Sequence, residues 1–506
     1  MEKKVYQLID GYRAAFTEML QGWIRVPSVK GNAEEGAPFG REVRNMLDLA
    51  MKDARSLGFE VRDFDGYACD ITLGSAEEKI AVLGHLDVVP VGDGWTKPPF
   101  DAVIENGRMY GRGTNDDKGP SLAALFAMKA IKEAGIPLKK SIRMILGCDE
   151  ESGWEDMEYY GAHEQIPDVG FSPDASFPLI NTEKGMLGFA LRAPAAKTGL
   201  KVLELNTGDR INVIPGECKA LVEGGEETAG KVKAYAAKTG LPYTAAVTEK
   251  GVEITAEGIP GHSAYPEGRR NAIGMMLVLL KELGAEGPVA TLAEAVGMES
   301  DGTSLGCACR DEISKGLTCN MGILRLEKGA WFATLDLRCP VTADLEKLKE
   351  AAIAHLPGIE VETTTMKAPH HVPADGELVS SLLAAYDEET GLKGEPMSTG
   401  GGTYAKVLKQ GVAFGALFPD EEDLAHQADE YEDIGRLMLA MKIYANALIR
   451  LAGDWRAVHN SGFFGLRPQN DRLGFPGAVG ADDAVAVARQ KLQVRAGKQL
   501  LSPEGK

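Results

Sequence analysis

The chain has 506 residues and a formal net charge of −19, with 55 Lys and Arg against 74 Asp and Glu. That acidic balance argues against non-specific nucleic-acid binding and against anionic membrane surfaces. A hydrophobic fraction of 44% with 25% charged residues is ordinary for a globular chain and too apolar for disorder, and the length gives a prior of roughly two to four domain-sized units. Seven cysteines, an odd number with no CxxC pair, do not form a disulfide framework and suggest a reducing compartment. The first 20 residues are charged throughout and hold no apolar h-region, so no secretory signal is expected. No apolar run approaches the length of a membrane span. The expected location is cytoplasmic.

The first 180 residues alternate strand and helix signals. Apolar positions at helical spacing over 5–26 and 39–57 predict helices. Continuous apolar runs at 79–83 and 142–147 predict buried strands, and between them 122–134 reads as a helix started by Gly119 and Pro120 and ended by Gly135. Strand, helix, strand with buried runs implies a mostly parallel sheet flanked by helices. From about residue 187 the pattern changes to alternating segments such as 251–256 and 331–338, which suggest half-exposed antiparallel strands. A long apolar helix follows Asn271. At 370 the buried pattern returns, with a strand over 411–418 and an amphipathic helix over 433–451.

This pattern gives an α/β fold with a discontinuous first domain, 1–186 plus 370–453, interrupted by an inserted α+β domain over 187–369. The tail, 454–506, is rich in Gly, Pro and Asn before one helix-compatible stretch. It is expected to lie outside the fold, disordered or in part helical.

Polar residues collect where the predicted strands end. The strand at 79–83 runs into Gly84-His85-Leu86-Asp87, and residues two apart on an extended chain face one side, so His85 and Asp87 point together. The strand at 142–147 runs into Asp149-Glu150-Glu151, and a short strand at 169–171 runs into Ser172-Pro173-Asp174. The strand at 411–418 leads through an acidic turn to His426. Asp116 and Asp117 stand just before the helix at 122. Open α/β sheets bind ligands at this edge.

Each element alone has an ordinary explanation: a solvated acidic run, a turn cap, or an acidic pair at a helix start. Five together at five such ends point to a metal site. Two His with several carboxylates and no Cys suit zinc, cobalt or manganese. The excess of carboxylates favours two ions, which at a separation of about 3.5–4 Å polarise a carbonyl and share an activated water.

The segments GHLDVVP (84–90), GRGTNDDKG (111–119), DEESG (149–153), SPDASFP (172–178) and AHQADEY (425–431) resemble the co-catalytic di-zinc peptidases, aminoacylases and carboxypeptidase G enzymes. GWTKPPF (94–100), GGGTYAK (400–406) and GVAFGALFPD (411–420) are most similar to the peptidase V-type, carnosinase-like dipeptidases. The resemblance spans about residues 10–452. It implies two zinc ions per chain, with cobalt or manganese as alternatives. His85 and Asp174 would hold one ion, Glu151 and His426 the other, and Asp116 would bridge both.

By the same resemblance Asp87 would orient His85, Glu150 would act as general base and acid, and the Asp116–Asp117 peptide would be cis. His262 in the inserted domain would stabilise the oxyanion, Asn212 would assist it, and Arg338 would hold the substrate's terminal carboxylate. Gly400–Gly402 would add backbone N–H groups to that anion site. The implied activity is hydrolysis of unblocked dipeptides. The alternatives are an N-acyl-amino-acid deacylase or desuccinylase and, remotely, a non-catalytic peptide-binding protein. The enlarged insertion implies a lid that completes the site within one chain, and so a monomer.

Overall fold

The computed structural model describes residues 2–454; the expectation for the tail lies outside the described residues apart from Asp454. The nine-stranded sheet has the order Glu60–Phe64, Ala68–Leu73, Ser141–Gly147, Lys79–His85, Val169–Ser172, Gln410–Ala413, Ile180–Glu183 and His370–His371, with Met397–Thr399 added beside Ile180–Glu183. Its four central strands, from Ser141–Gly147 to Gln410–Ala413, run parallel to one another. The outer pairs Glu60–Phe64/Ala68–Leu73, Ala68–Leu73/Ser141–Gly147 and His370–His371/Ile180–Glu183 are antiparallel. Every residue of Ser141–Gly147 is buried, as expected of a strand covered on both faces.

The predicted helix at 122–134 begins one turn earlier, at Lys118–Ala134, and is buried along most of its length. It packs on Ile434–Ala452, which is buried at every position from Ile443 to Ile449. The stripe expected of an amphipathic helix is widened there because helices Glu2–Gly11 and Glu377–Thr390 also pack on it. Asp433 caps this helix by accepting the N–H groups of Gly435 and Arg436. The strand predicted over 411–418 is two pieces, Gln410–Ala413 and Ala416–Leu417. The chain turns between them at Gly415 (φ +83°), where a Cβ would lie 2.3 Å from the Phe177 ring.

The second sheet has eight strands in the order Tyr243–Thr248, Gly251–Glu257, Glu217–Val222, Val202–Thr207, Thr318–Glu327, Ala330–Cys339, Gly185–Pro194 and Glu360–Lys367. All of its neighbours are antiparallel. Its covered face forms one apolar core with helix Ala272–Glu282, centred on Leu187, Phe189, Leu335, Met275 and Met276. The chain crosses between the sheets at Lys184, whose N–H donates to the Thr399 carbonyl (3.0 Å), and again at Ala368–Pro369. Among the described residues no helix is long and apolar enough to cross a membrane.

Asn271 fixes the start of the core helix from both sides. Its Oδ1 accepts the N–H groups of Ile273 (2.8 Å) and Gly274 (3.2 Å), while its Nδ2 donates to Asn320 Oδ1 (2.8 Å) and the Met321 carbonyl (2.9 Å). Asn271→Ala is expected to destabilise the protein by roughly 1–3 kcal/mol, the loss of a helix cap plus unsatisfied partners. A urea unfolding curve that keeps its wild-type midpoint would contradict this.

Candidate metal centre

The parallel register places the metal-ligand candidates side by side. His85 is paired with Gly147 at the ends of their strands, so the loop after each strand leaves the same sheet edge. His85 Nε2 lies 2.9 Å from Asp116 Oδ1 and 3.7 Å from Asp174 Oδ2. His426 Nε2 lies 3.0 Å from Asp116 Oδ2 and 2.9 Å from Glu151 Oε2. Asp116 thus presents one carboxylate oxygen to each imidazole. Two groups with ligand atoms close enough to hold an ion result, His85–Asp116–Asp174 and Asp116–Glu151–His426, with Asp116 in both. The Asp116–Asp117 peptide is cis.

Behind these side chains stands a layer of buried carboxylates that accept backbone N–H groups. Glu430 accepts from Gly113 (2.9 Å) and Asn115 (3.0 Å) and pairs with Arg112 (2.5 Å), which shapes the loop before Asp116. Asp117 Oδ2 accepts from the His85 N–H (3.2 Å) and from Ser121 Oγ (2.7 Å). Asp156 accepts from Cys148 (2.6 Å) and Asp149 (3.0 Å). The carboxylate of Asp87 accepts the N–H groups of Glu150 (3.2 Å) and Glu151 (3.1 Å), whereas His85 Nδ1 meets the Asp87 backbone carbonyl at 3.0 Å. Asp87 therefore meets His85 Nδ1 with its main-chain carbonyl and, at 3.5 Å, with its carboxylate, and the same carboxylate holds the Glu150–Glu151 loop. A glycine is required at Gly84, because a Cβ there would lie 1.9 Å from Ser121 Oγ.

Sequence reasoning missed the roles of Glu430, Asp117 and Asp156. The first two lie inside segments already singled out, AHQADEY and NDD. The only available signal was an acidic residue flanked by buried positions, which is weak.

The electrostatics call for a cation. Burial, reinforced by Asp174, pushes the Glu150 carboxyl well above its usual range. Burial and Asp116 push Glu151 to about 7 and raise Asp174. Burial alone would lower the two imidazoles, but their carboxylate partners outweigh it, so His85 is raised and His426 reaches about 11. Glu150 Oε1 is buried with no hydrogen-bond partner among the described residues. Imidazole nitrogens and carboxylate oxygens without thiolate suit zinc, cobalt or manganese. The residues present fit a pair of divalent cations sharing Asp116.

A two-stranded ladder separate from both large sheets carries the next candidates. Val213 pairs with His262 in a short antiparallel ladder, and the Asn212 carbonyl accepts the Ser263 N–H (2.9 Å), so Asn212 and His262 share one edge. The His262 ring is exposed. Its Nδ1 accepts the Ala264 N–H at 3.2 Å, which leaves the proton of the neutral ring on Nε2. Desolvation within the cleft, then the charges of Arg338 and His426, lower its pKa.

Arg338 is buried, with Nε 3.1 Å and Nη2 3.0 Å from Asp336 Oδ2 and Nη1 donating to the Gly400 carbonyl at 2.9 Å. Ser263 Oγ also donates to Asp336. Tyr265 meets Thr399 across the cleft at 3.0 Å. One of the backbone N–H groups expected to face an anion, that of Gly401, is used otherwise. Gly400 offers its carbonyl to Arg338, and the Gly401 N–H bonds Thr399 Oγ1 (3.0 Å).

The model of peptidase family M20/M25/M40 matches residues 81–450. The chain belongs to this family. It is 38% identical over 445 residues to the putative dipeptidase YtjP of Bacillus subtilis, covering 85% of this chain and 96% of that one. It is 31% identical over 467 residues to the β-Ala-Xaa dipeptidase of Lactobacillus delbrueckii subsp. lactis, covering 90% and 99%. Among solved structures, human carnosine dipeptidase 1 superposes with TM-score 0.56 at 16% identity, covering 89% of this chain and 99% of that one. The dipeptidase Dug1p of Saccharomyces cerevisiae gives 0.58 at 16% identity, covering 89% and 98%. These two establish the shared fold. The family is one of metal-dependent hydrolases.

Because His426 holds its proton up to about 11 without an ion, a cation binding at neutral pH has to displace it. Metal affinity is therefore expected to rise with pH, and calorimetry in buffers of unequal ionisation heat should read net proton release. A pH-independent affinity would contradict the arrangement. Asp116→Ala, which removes a donor from both groups, is expected to lose more bound metal on dialysis than Glu151→Ala.

Proposed function

We propose that this chain is a dipeptidase with two zinc ions, cleaving the peptide bond of unblocked dipeptides. His85, Asp116 and Asp174 would hold one ion and Asp116, Glu151 and His426 the other, with cobalt or manganese able to replace zinc. When bound, such ions polarise the scissile carbonyl and acidify the attacking water. Residues 1–186 and 370–453 form the catalytic part in this reading, and 187–369 the lid.

Glu150 is the proton carrier. Its Oε1 has no hydrogen-bond partner among the described residues, and burial raises its proton affinity, so it can accept a proton from the attacking water and deliver it to the leaving amine. His262, neutral with its proton on Nε2, donates to the oxyanion from the lid, with Asn212 beside it. Arg338 grips the terminal carboxylate with the N–H groups that Asp336 and Gly400 leave over. Asp174 is the candidate to receive the free amine. Because His262 and Arg338 serve the site of their own chain in this reading, a monomer suffices.

One observation carries the choice of a short substrate. Tyr265 bonds Thr399, and Arg338 bonds Gly400, directly across the cleft. A roof tied down at these two points favours a short substrate over a long peptide. The dipeptidase names of the two relatives above, which this chain matches over most of its length, support the same reading.

The test is hydrolysis of Leu-Gly or β-Ala-His beside N-acetyl-leucine, with and without chelator and added zinc. Cleavage of the unblocked dipeptide alone, abolished by chelator and restored by zinc, is expected. Cleavage of the N-acyl substrate alone would move the function to deacylation. Glu150→Gln should lower kcat by about 10²- to 10⁴-fold while bound metal is unchanged, and a variant of near-normal kcat would remove Glu150 from its role.

A further inference from the structure

Three cations converge where the lid meets Gly400–Gly402: Met186 pairs with Arg338 on one neighbouring strand and with Lys367 on the other, so the two share a row of the sheet, while Arg338 bonds Gly400 and Lys406 lies beside Gly402. Two of them are already compensated. Arg338 is paired with Asp336 at 3.0 Å. Lys406 donates to the Lys184 carbonyl at 2.7 Å and stands 4.0 Å from the buried Glu183. Lys367 is different. It ends the edge strand Glu360–Lys367, is half-buried, and makes no hydrogen bond or ion pair among the described residues. Its Nζ lies over the face of Trp154, 3.7 Å from the ring centroid, and the carboxyl groups of Glu150 and Asp149 act on its charge through space.

That ring belongs to the catalytic loop. Trp154 Nε1 donates to the Glu150 carbonyl at 2.8 Å, and the ring packs edge-on against Tyr404, which in turn meets the His85 ring edge-on. An ammonium on this face is held by the ring quadrupole while part of its N–H set stays available. A carboxylate entering a roofed cleft loses its hydration and needs net positive charge there. Arg338 with Asp336 sums to zero, so Arg338 can supply direction but little net charge.

We infer that Lys367 is the second cation of the substrate-carboxylate site, supplying the charge that Arg338, neutralised by Asp336, does not. The inference rests on the dipeptidase reading. Arg338 sets the geometry of the carboxylate, Lys367 supplies its counter-charge, and Trp154 holds Lys367 beside the Glu150 loop. Substrates with a free C-terminal carboxylate are thereby favoured over the corresponding amides.

The experiment compares wild type, Lys367→Met and Lys367→Arg, each checked for an unchanged melting temperature and metal content. KM and kcat are measured for Leu-Gly, and Leu-Gly amide is used as a competitor to give an inhibition constant. Methionine keeps the apolar stem over Trp154 and removes only the charge. Lys367→Met is expected to raise KM for Leu-Gly by roughly 10- to 100-fold, the loss of a charge-assisted contact. The amide's inhibition constant stays where it was, and Lys367→Arg recovers most of the loss.

Equal weakening of acid and amide would overturn the inference, as would a fall in kcat with KM unchanged. Either would make Lys367 a strut for Trp154. Failure of the wild type to cleave any dipeptide would instead show first that the functional reading is wrong, and the inference would fall with it.

Discussion

The organisation of this molecule follows from one electrostatic constraint. Asp116, Glu150, Glu151 and Asp174 are gathered with two imidazoles at one sheet edge, where burial penalises each negative charge. Such a set is stable only with positive charge among its members, either shared protons or bound cations. Asp116, with one oxygen toward His85 and the other toward His426, is the point through which both halves of the site are coupled.

The scaffold around that point minimises reorganisation. Parallel strands bring loops to one edge in a fixed register, and two of these loops are pinned by carboxylates that accept main-chain N–H groups. Asp87 holds residues 150 and 151, Asp156 holds 148 and 149, and Glu430 holds 113 and 115. The ligand positions are therefore set by backbone hydrogen bonds rather than by side-chain packing alone. The inserted segment reaches the other sheet's loops through Tyr265 on Thr399, Arg338 on Gly400 and Lys367 on Trp154.

Much of this was legible in the sequence where chemistry and local pattern coincide. Buried runs ending in His85, Glu150 and Asp174 announced strands and their loops together, and the change of texture near 187 marked the second sheet. The strand break at Gly415 was not legible, because it depends on the approach of the Phe177 ring from another element. Glu430, Asp117 and Asp156 were overlooked because a carboxylate that accepts N–H groups has no sequence signature apart from being acidic. The bond from Arg338 to the Gly400 carbonyl was not legible either, because it depends on the packing of the two sheets. Lys367 stood out only once the lid edge was seen to lie over Trp154.

The central claim is that Asp116 serves two cation positions within one chain. Crystals grown with zinc and measured at the zinc absorption edge test it most directly. Two anomalous peaks flanking the Asp116 carboxylate, one toward His85 and Asp174 and one toward Glu151 and His426, are the predicted result. A single peak, or peaks away from Asp116, would contradict the account.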